Sequence, residues 1–147
     1  MTRRRPQTID RGPGAAAVAV EHKRAAAMVD VGVFDDPALA KIAAFNEFGT
    51  DTVPERSFLR STVDGNARRY AALTNAGIRA AFAGAPADVA YQPLGERVAQ
   101  DVRNAIVAIS NPPNAPSTLE DKRGSNPLVG TGRLHDAIDF RIDGDAS

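Results

Sequence analysis

Few side chains in this sequence are of the types that carry out chemistry, and those few are scattered. The two histidines are His22 and His135. His135 and Asp139 are four residues apart, so on a helix they would share a face, but a metal site needs further ligands that the neighbouring sequence does not supply. The adjacent carboxylates Asp35 and Asp36 would point in different directions, which suits helix capping better than acid–base catalysis. We therefore expect neither a metal site nor a catalytic carboxylate pair.

The hydroxyl nucleophiles and the glycine-rich segment also lack the surroundings that catalysis requires. Ser57, Ser61 and Ser117 stand outside any G-x-S-x-G context, so nothing indicates a serine hydrolase. The stretch GSNPLVGTG, residues 124–132, has neither the Lys-Ser/Thr ending of a P-loop nor the spacing of a dinucleotide-binding loop. The chain has no cysteine, which excludes disulfides, thiolate zinc sites and cysteine nucleophiles. We therefore expect a protein that is not an enzyme and has no cofactor.

Charge is balanced over the whole chain but not along it. Lys and Arg number 18, as do Asp and Glu, so the whole protein has no electrostatic attraction to nucleic acid or to an anionic membrane. Residues 1–14 form a basic arm that contains Pro and Gly, whereas the other end is acidic. The arm could pair with the acidic end of a neighbouring subunit or contact nucleic acid, or both ends could simply be solvated. The basic residues of the arm are Arg3, Arg4, Arg5 and Arg11.

The rest of the chain has the size and composition of one domain. With 147 residues, 43% of them hydrophobic, it can bury a core, and no apolar run approaches the roughly 20 residues that span a bilayer. We therefore place a single domain at 15–147 and expect no membrane contact. It opens with AAVAVEH and AAAMVDVGVF, where Val29, Val31 and Val33 alternate with other residues as in a strand, so we expect a hairpin. The intervening EHKRAAA also favours helix, which leaves the first strand open to that alternative.

The first helical pattern is DDPALAKIAAFNEFG. Asp35 or Asp36 can cap a helix that starts at Pro37 and ends at Gly49. TDTVPE follows as a linker that Pro54 holds extended. The residues expected to share one face of this helix are Leu39, Ile42, Ala43 and Phe45 or Asn46.

Two long helices are predicted next. SFLRSTVDGNARRYAALTNAGIRAAFAG has helical spacing weakened at Gly65 and Gly77, and AGAPADVAYQPL ends it. PLGERVAQDVRNAIVAI has an apolar stripe, with charged residues such as Asp101 and Arg103 turned outward. Residues 110–132 hold four of the ten prolines and predict a long loop, which is typical of functional or disordered segments.

The chain closes with RLHDA, which suits a short helix, and AIDFRI, which alternates like a strand. Pairing of this strand with the opening hairpin would bring both ends of the domain to one sheet. The order of elements predicts an α+β fold, with a small antiparallel sheet and two long helices and one short helix packed on one face.

Two motifs, joined by the helical pair, carry a resemblance to a known family. VDVGVF followed by AKIAAFNEFGTDTVPERSFLR, and later NPPNAPSTLEDKRGSNPLVGTGRLHDAIDFRI, resemble the tail-completion and neck proteins of tailed bacteriophages, which include tail terminators. The match keeps the family's order over residues 29–142. One departure is Ser57, where the family often has Pro. The matching positions include Asn46, Glu47, Phe48, Gly49, Val53, Pro54, Arg56, Phe58, Pro113, Thr118, Lys122, Pro127, Leu128, Thr131, Gly132, Leu134, Ala137 and Ile138.

The resemblance implies a structural subunit without catalytic activity that forms a ring, commonly a hexamer, at the head–tail joint of the virion. Before assembly the protein would be in the host cytoplasm. Its partners would be further copies of itself, the tail tube protein and the neck or head-completion proteins, with packaged DNA in the channel as a further candidate contact. Two alternatives stay open: a head-closure or connector protein on the portal side, and a small nucleic-acid-binding module that uses the basic arm.

On this interpretation AFNEFGTDTVPERSFLR is a structural joint and not an active site. Phe48 and Phe58 are expected to fill the core from either side of the joint, while Glu47 and Arg56 fix its angle. Arg56 and Arg60 are candidates for salt bridges to carboxylates such as Glu47 or to a neighbouring subunit, and the alternative is a helix start that faces solvent.

Contacts with other subunits are expected at the loop 111–128, the linker 50–58 and the basic arm. A loop of this kind can become ordered on a neighbour, at an entropic cost. Thr131 and Gly132 are expected to set the turn before the last helix, with Thr131 as its cap.

Overall fold

The structure, a computed structural model, describes residues 26–109 and 132–144. The predicted first strand at AAVAVEH, the basic arm and all of the 110–132 loop except Gly132 lie outside these residues. In chain order the elements are β1 (Met28–Gly32), α1 (Pro37–Phe48), α2 (Arg60–Gly65), α3 (Ala67–Phe82), α4 (Ala87–Ala108), α5 (Arg133–Ala137) and β2 (Asp139–Asp143).

The two strands form an antiparallel sheet from opposite ends of the domain. Val31 lies opposite Phe140 and Val29 opposite Ile142. These apolar pairs share one face, because directly opposed residues point the same way, and that face packs on α4. The α+β fold with a small antiparallel sheet is therefore confirmed, as is the pairing of the last strand with the strand at Met28–Gly32.

The core is built along α4. The residues Val98, Ala99, Val102 and Ile106 form its inner stripe. Phe58 from the segment before α2 and Ile138, the residue between α5 and β2, pack into the same cluster and are fully or almost fully buried.

Helix α4 begins earlier than predicted and runs through a proline. We expected AGAPADVAYQPL to separate two helices, but α4 starts at Ala87 and contains Pro93 in its interior. Proline removes one helical hydrogen bond. Packing of the first turns outweighs that cost, because Tyr91 is buried against Gly77 of α3, where even a Cβ atom would lie 2.6 Å from the Tyr91 ring.

The long helix predicted at SFLRSTVDGNARR is interrupted. It ends at Gly65 and restarts at Ala67, so that α2 and α3 are separate helices. Asn66 marks the break, since its side-chain amide donates to the carbonyl of Thr62 at 2.9 Å. The predicted weak point at Gly65 is therefore a helix boundary, whereas Gly77 lies inside α3 at a close helix contact.

Helix α1 has the predicted boundaries but a different inner face. The Asp36 carboxylate accepts a hydrogen bond from the amide of Leu39 at 2.9 Å, and Pro37 is the first helical residue. The buried residues of α1 are Leu39, Ala43 and Glu47. Ile42 and Phe45, which were expected to share a face with Leu39 and Ala43, are exposed, whereas the alternative Asn46 is half-buried. At about 100° per residue, the centre of the i, i+4, i+8 row that contacts the core lies about 100° from Ile42 and about 160° from Phe45.

Two ion pairs connect the start of α1 to the C-terminal elements. Arg141 lies 2.7 Å from Asp35, and Arg133 lies 2.9 Å from Asp36. The Arg141 guanidinium also stacks on the Phe34 ring, 4.3 Å from its centroid. These contacts join residues about a hundred positions apart, between the segment that begins α1 and the elements α5 and β2.

Candidate functional site

The motif NEFG...VPERSFLR folds into one hydrogen-bonded joint around the Glu47 carboxylate. Glu47 lies in the last turn of α1 and is only 2% exposed. Its Oε1 accepts hydrogen bonds from the Ser57 hydroxyl at 2.9 Å and from the backbone amide and Nε of Arg60, both at 3.0 Å. Its Oε2 accepts from the amide of Leu59 at 2.9 Å. Glu47 thus caps α2, which has no side-chain cap within its own sequence.

The charge of Glu47 is stabilised by these donors. Burial by itself raises the pKa of Glu47, but the amides of Leu59 and Arg60 and the side chains of Ser57 and Arg60 outweigh burial, so the pKa is lowered from 4.5. The hydrogen bond to Glu47 in turn raises the pKa of Arg60. The predicted Arg60–Glu47 salt bridge is therefore confirmed, with Arg60 also 2.7 Å from Glu55.

The backbone between α1 and α2 is a tight turn. The Thr50 amide donates to the carbonyl of Val53 at 2.7 Å, and the Thr50 hydroxyl accepts from the Val53 amide at 2.9 Å. The prediction of an extended linker is therefore wrong for residues 50–53, because threonine hydroxyls stabilise turns by such local bonds. Pro54 follows the turn and is exposed.

Gly49 is required at this turn. Its φ of 71° lies in the left-handed region, and a Cβ atom there would lie 3.0 Å from the backbone nitrogen of Glu55 and 3.2 Å from the carbonyl oxygen of Val53. Both contacts are with backbone, which cannot rotate away. The predicted role of Gly49 as the end of α1 is confirmed.

Arg56 is a buried part of the joint. It is only 5% exposed, its amide donates to the carbonyl of Asn46 at 2.6 Å, and its Nη1 donates to the Asn46 side-chain oxygen at 3.2 Å. Burial lowers the pKa of Arg56. The alternative of a solvent-facing residue is therefore wrong for Arg56, which ties the end of α1 to the chain that leads into α2.

The two phenylalanines of the motif have opposite environments. Phe58 is fully buried, as predicted. Phe48 is 64% exposed, so the prediction that it fills the core is wrong. Glu47 occupies the inward position of this turn, and the next residue on a helix points about 100° away. Phe48 instead lies beneath the guanidinium of Arg60, which is 4.8 Å from the centre of its ring.

Most residues of the second motif, which begins at NPPNAPSTLEDKR, lie outside the residues that the structure describes. Gly132 is described, with a φ of 73° as the residue before α5, and this fits its predicted role in the turn. The remaining predicted residues that lie outside the described ranges are Arg3, Arg4, Arg5, Arg11, Pro113, Thr118, Lys122, Pro127, Leu128 and Thr131.

An exposed apolar stripe on α1 was missed by the sequence interpretation. Ile42, Phe45 and Phe48 are 51%, 40% and 64% exposed. Sequence does contain a signal for this stripe, because Lys41 and Glu47 are the only charged residues among the 12 of α1. A helix that is apolar on all faces is usually buried on all of them. The exposed apolar face of α1 therefore indicates a surface that another protein can cover.

The other polar cluster in the described part of the chain is structural. Asp101, predicted to face outward, accepts a hydrogen bond from the Tyr70 hydroxyl at 2.9 Å and lies 3.1 Å from Arg97. Burial and this hydrogen bond raise the pKa of Tyr70 to about 12. Arg103, also predicted to face outward, donates instead to the carbonyl of Ile138. These contacts join α3 to α4 and α4 to Ile138, the residue before β2.

Within residues 26–109 and 132–144, no group of three or more His, Cys, Asp or Glu side chains could hold a metal ion. His135 contacts Asp136 at 2.8 Å. None of the helices described is long and apolar enough to cross a membrane.

A scan against protein-family models, a search of curated proteins and a search of solved structures each found no match to the chain.

Proposed function

We propose that this chain is a structural virion protein that forms a ring at the head–tail joint of a tailed bacteriophage, as a tail terminator or tail-completion protein. The observation that carries the proposal is the exposed apolar stripe of α1, formed by Ile42, Phe45 and Phe48. Contiguous exposed apolar side chains on a folded domain mark surfaces that bind other proteins. The family resemblance supplies the particular assembly.

The joint gives this stripe a fixed position. Asp36 caps one end of α1, and the other end is tied down by the hydrogen bonds of Glu47 and by the Asn46–Arg56 contacts. A binding surface held at both ends loses little conformational freedom on association, which favours binding. The motif that resembles the family thus serves here to orient a contact surface.

The sheet offers a second kind of contact. In the part of the chain that the structure describes, each strand pairs on one side only. Unpaired edges attract strands of other chains through their free N–H and C=O groups. The proposed partners are further copies of this chain, in a hexameric ring, together with the tail tube protein and the neck proteins, with the loop 111–128, the segment 50–58 and the basic arm as further contact regions.

An assembly on the portal side, as a head-closure or connector protein, would use the same surfaces and is the alternative form of this proposal.

The nucleic-acid-binding hypothesis makes a different prediction. Filter binding across a salt series would show a steep loss of affinity with salt if the arginines of the arm neutralised phosphates. Ring assembly that persists with salt, without such binding, would favour the structural role.

The role of the stripe can be tested by light scattering coupled to gel filtration. We expect the wild-type chain to form closed rings and Phe45→Ser to remain monomeric with an unchanged melting temperature, because Phe45 lies outside the core. Val89→Ser is the matched control, since Val89 is 57% exposed on α4. Rings that form equally well with Phe45→Ser and Val89→Ser would contradict the proposed interface.

A further inference from the structure

An apolar groove lies beside β1. It has a volume of about 550 Å³, many times the roughly 30 Å³ of one water molecule. Its apolar lining comes mainly from β1, α2 and α4, and includes Val29, Val31, Val63, Leu94 and Val98. Apolar surface in water costs about 25 cal/mol per Å². Covering the groove on association with another protein is therefore favourable.

The groove carries one charge that the described part of the subunit does not neutralise. Two charged residues, Arg60 and Asp64, line it. The Arg60 guanidinium is paired with the carboxylates of Glu47 and Glu55. The Asp64 side chain is exposed and has no ion-pair or hydrogen-bond partner among residues 26–109 and 132–144. A partner that fits the groove should therefore be apolar and carry one positive charge.

The exposed stripe of α1 combines these two properties. Its side chains Ile42, Phe45 and Phe48 are apolar, and Lys41 is the one basic residue of α1. Lys41 lies four residues before Phe45, so both are on the same face of the helix, and the Lys41 Nζ is 5.5 Å from the centre of the Phe45 ring. Aromatic anchors that fill a pocket beside a complementary charge are typical of specific protein–protein contacts.

A subunit cannot place this stripe in its own groove. Helix α1 is held at both ends, and its residues Leu39, Ala43 and Glu47 are buried in the same subunit. Phe45 lies about 160° around the helix from the centre of that row, so it points away from its own core. The stripe can therefore fill the groove of another copy but not the groove of its own chain.

We propose that the α1 stripe of one subunit docks in the groove beside β1 of a neighbouring subunit, with Phe45 against Val63 and with Lys41 paired to Asp64. This contact joins two different surfaces, so it can repeat head to tail around a ring. The inference rests on the proposed function, because it names the surface that receives the stripe in that ring.

Reciprocal charge reversal in the full chain tests this contact by light scattering coupled to gel filtration. Lys41→Glu would bring two carboxylates together, and Asp64→Lys would bring two ammonium groups together. Because like charges at a contact are unfavourable, each variant alone should raise the dissociation constant between copies at least about tenfold. In an equimolar mixture, alternating subunits have opposite charges at every contact, so assembly should recover. Both side chains are exposed, so the melting temperature of each variant should persist.

Arg79→Glu and Asp88→Lys are the matched controls, because they make the same charge changes at exposed positions outside both surfaces. They should assemble like the wild type. If Lys41→Glu and Asp64→Lys assemble as well as these controls, the inference is overturned, while wild-type rings in the same experiment would leave the proposed function standing. Wild-type dimers whose reversed variants complement each other would support the contact and contradict the ring. A wild-type chain that stays monomeric would overturn both.

Discussion

The Glu47 carboxylate lies at the end of α1 but stabilises the start of α2, because it accepts the amide hydrogens of Leu59 and Arg60. Helix starts leave amides unpaired, and α2 is too short to compensate by its own propensity. One buried side chain therefore determines both the position of α2 and the direction in which Phe58 enters the core.

Replacing Glu47 tests this role. Glu47→Gln keeps the size of the side chain but removes the charge and turns one acceptor into a donor, so we expect a loss of about 2–4 kcal/mol in the free energy of unfolding. Urea denaturation measures it. Glu55→Gln is the control, because the Glu55 side chain is 55% exposed, and it should change stability by less than about 0.5 kcal/mol. A small effect at Glu47 would show that the cap is dispensable.

Stability should depend on pH through the same group. The pKa of Glu47 is lowered in the folded state from 4.5, so its stabilisation is fully present above pH 4.5 and is lost as the pH falls through the folded-state pKa. The difference in unfolding free energy between wild type and Glu47→Gln should therefore shrink as the pH is lowered below 4.5. Denaturation series at neutral and acidic pH measure this difference, and one that stays constant would argue against the charged cap.

Gly49 provides a test of the turn. Gly49→Ala must adopt a positive φ and bring its Cβ atom against the backbone at Glu55, so we expect it to cost more than about 1 kcal/mol. Gly65→Ala is the matched control, because its φ is not positive and a Cβ atom there meets nothing within 4 Å. Thermal unfolding should show destabilisation by the first change only. Equal melting temperatures would refute the strain argument.

At single positions, the sequence predicted some contacts and buried residues of the joint but not which of two adjacent side chains faces the core. The salt bridge between Arg60 and Glu47 and the burial of Phe58 were both predicted and are confirmed. The sequence could not predict that Phe48 faces water, since Glu47 and Phe48 are adjacent and only the packed structure determines which one points inward. The Ser57 bond to Glu47 was equally hidden, because it joins residues ten positions apart.

Among the helices and strands, α4 and β2 approach each other closely at Gly95, which has no side chain. A Cβ atom on Gly95 would lie 2.2 Å from the ring of Phe140. Gly95→Ala should therefore destabilise the protein by about 1–3 kcal/mol, although alanine favours helix. In a Phe140→Ala background the same Gly95→Ala change should cost less, because the ring that the new Cβ atom meets is gone, and chemical denaturation of both single variants and the double variant measures the coupling. Additive costs would mean that the two residues do not limit the approach of the helix.

Some helix boundaries could not be predicted from local sequence patterns. Periodicity and caps gave α1, α5 and both described strands, since their signals lie within a few residues. Pro93 suggested a helix boundary that does not exist, because burial of Tyr91 against Gly77 stabilises the turn before the proline. Long-range packing of this kind has no local signature, so the start of α4 could not be predicted from the sequence.

At the scale of the whole subunit, the part of the chain that the structure describes offers two kinds of contact surface. One is the exposed stripe of Ile42, Phe45 and Phe48 on α1. The other is the edge of the two-stranded sheet, since each described strand pairs on one side only. A head-to-tail contact between two different surfaces of this kind closes into a ring when the rotation per subunit allows it.

We propose that this chain completes the head–tail joint. Electron microscopy of phage particles assembled without the protein tests it most directly. A tail terminator predicts full heads beside overlong or uncapped tails, and heads that leak their DNA would indicate the portal-side form of the proposal. Intact particles, indistinguishable from those assembled with the protein, would contradict the account.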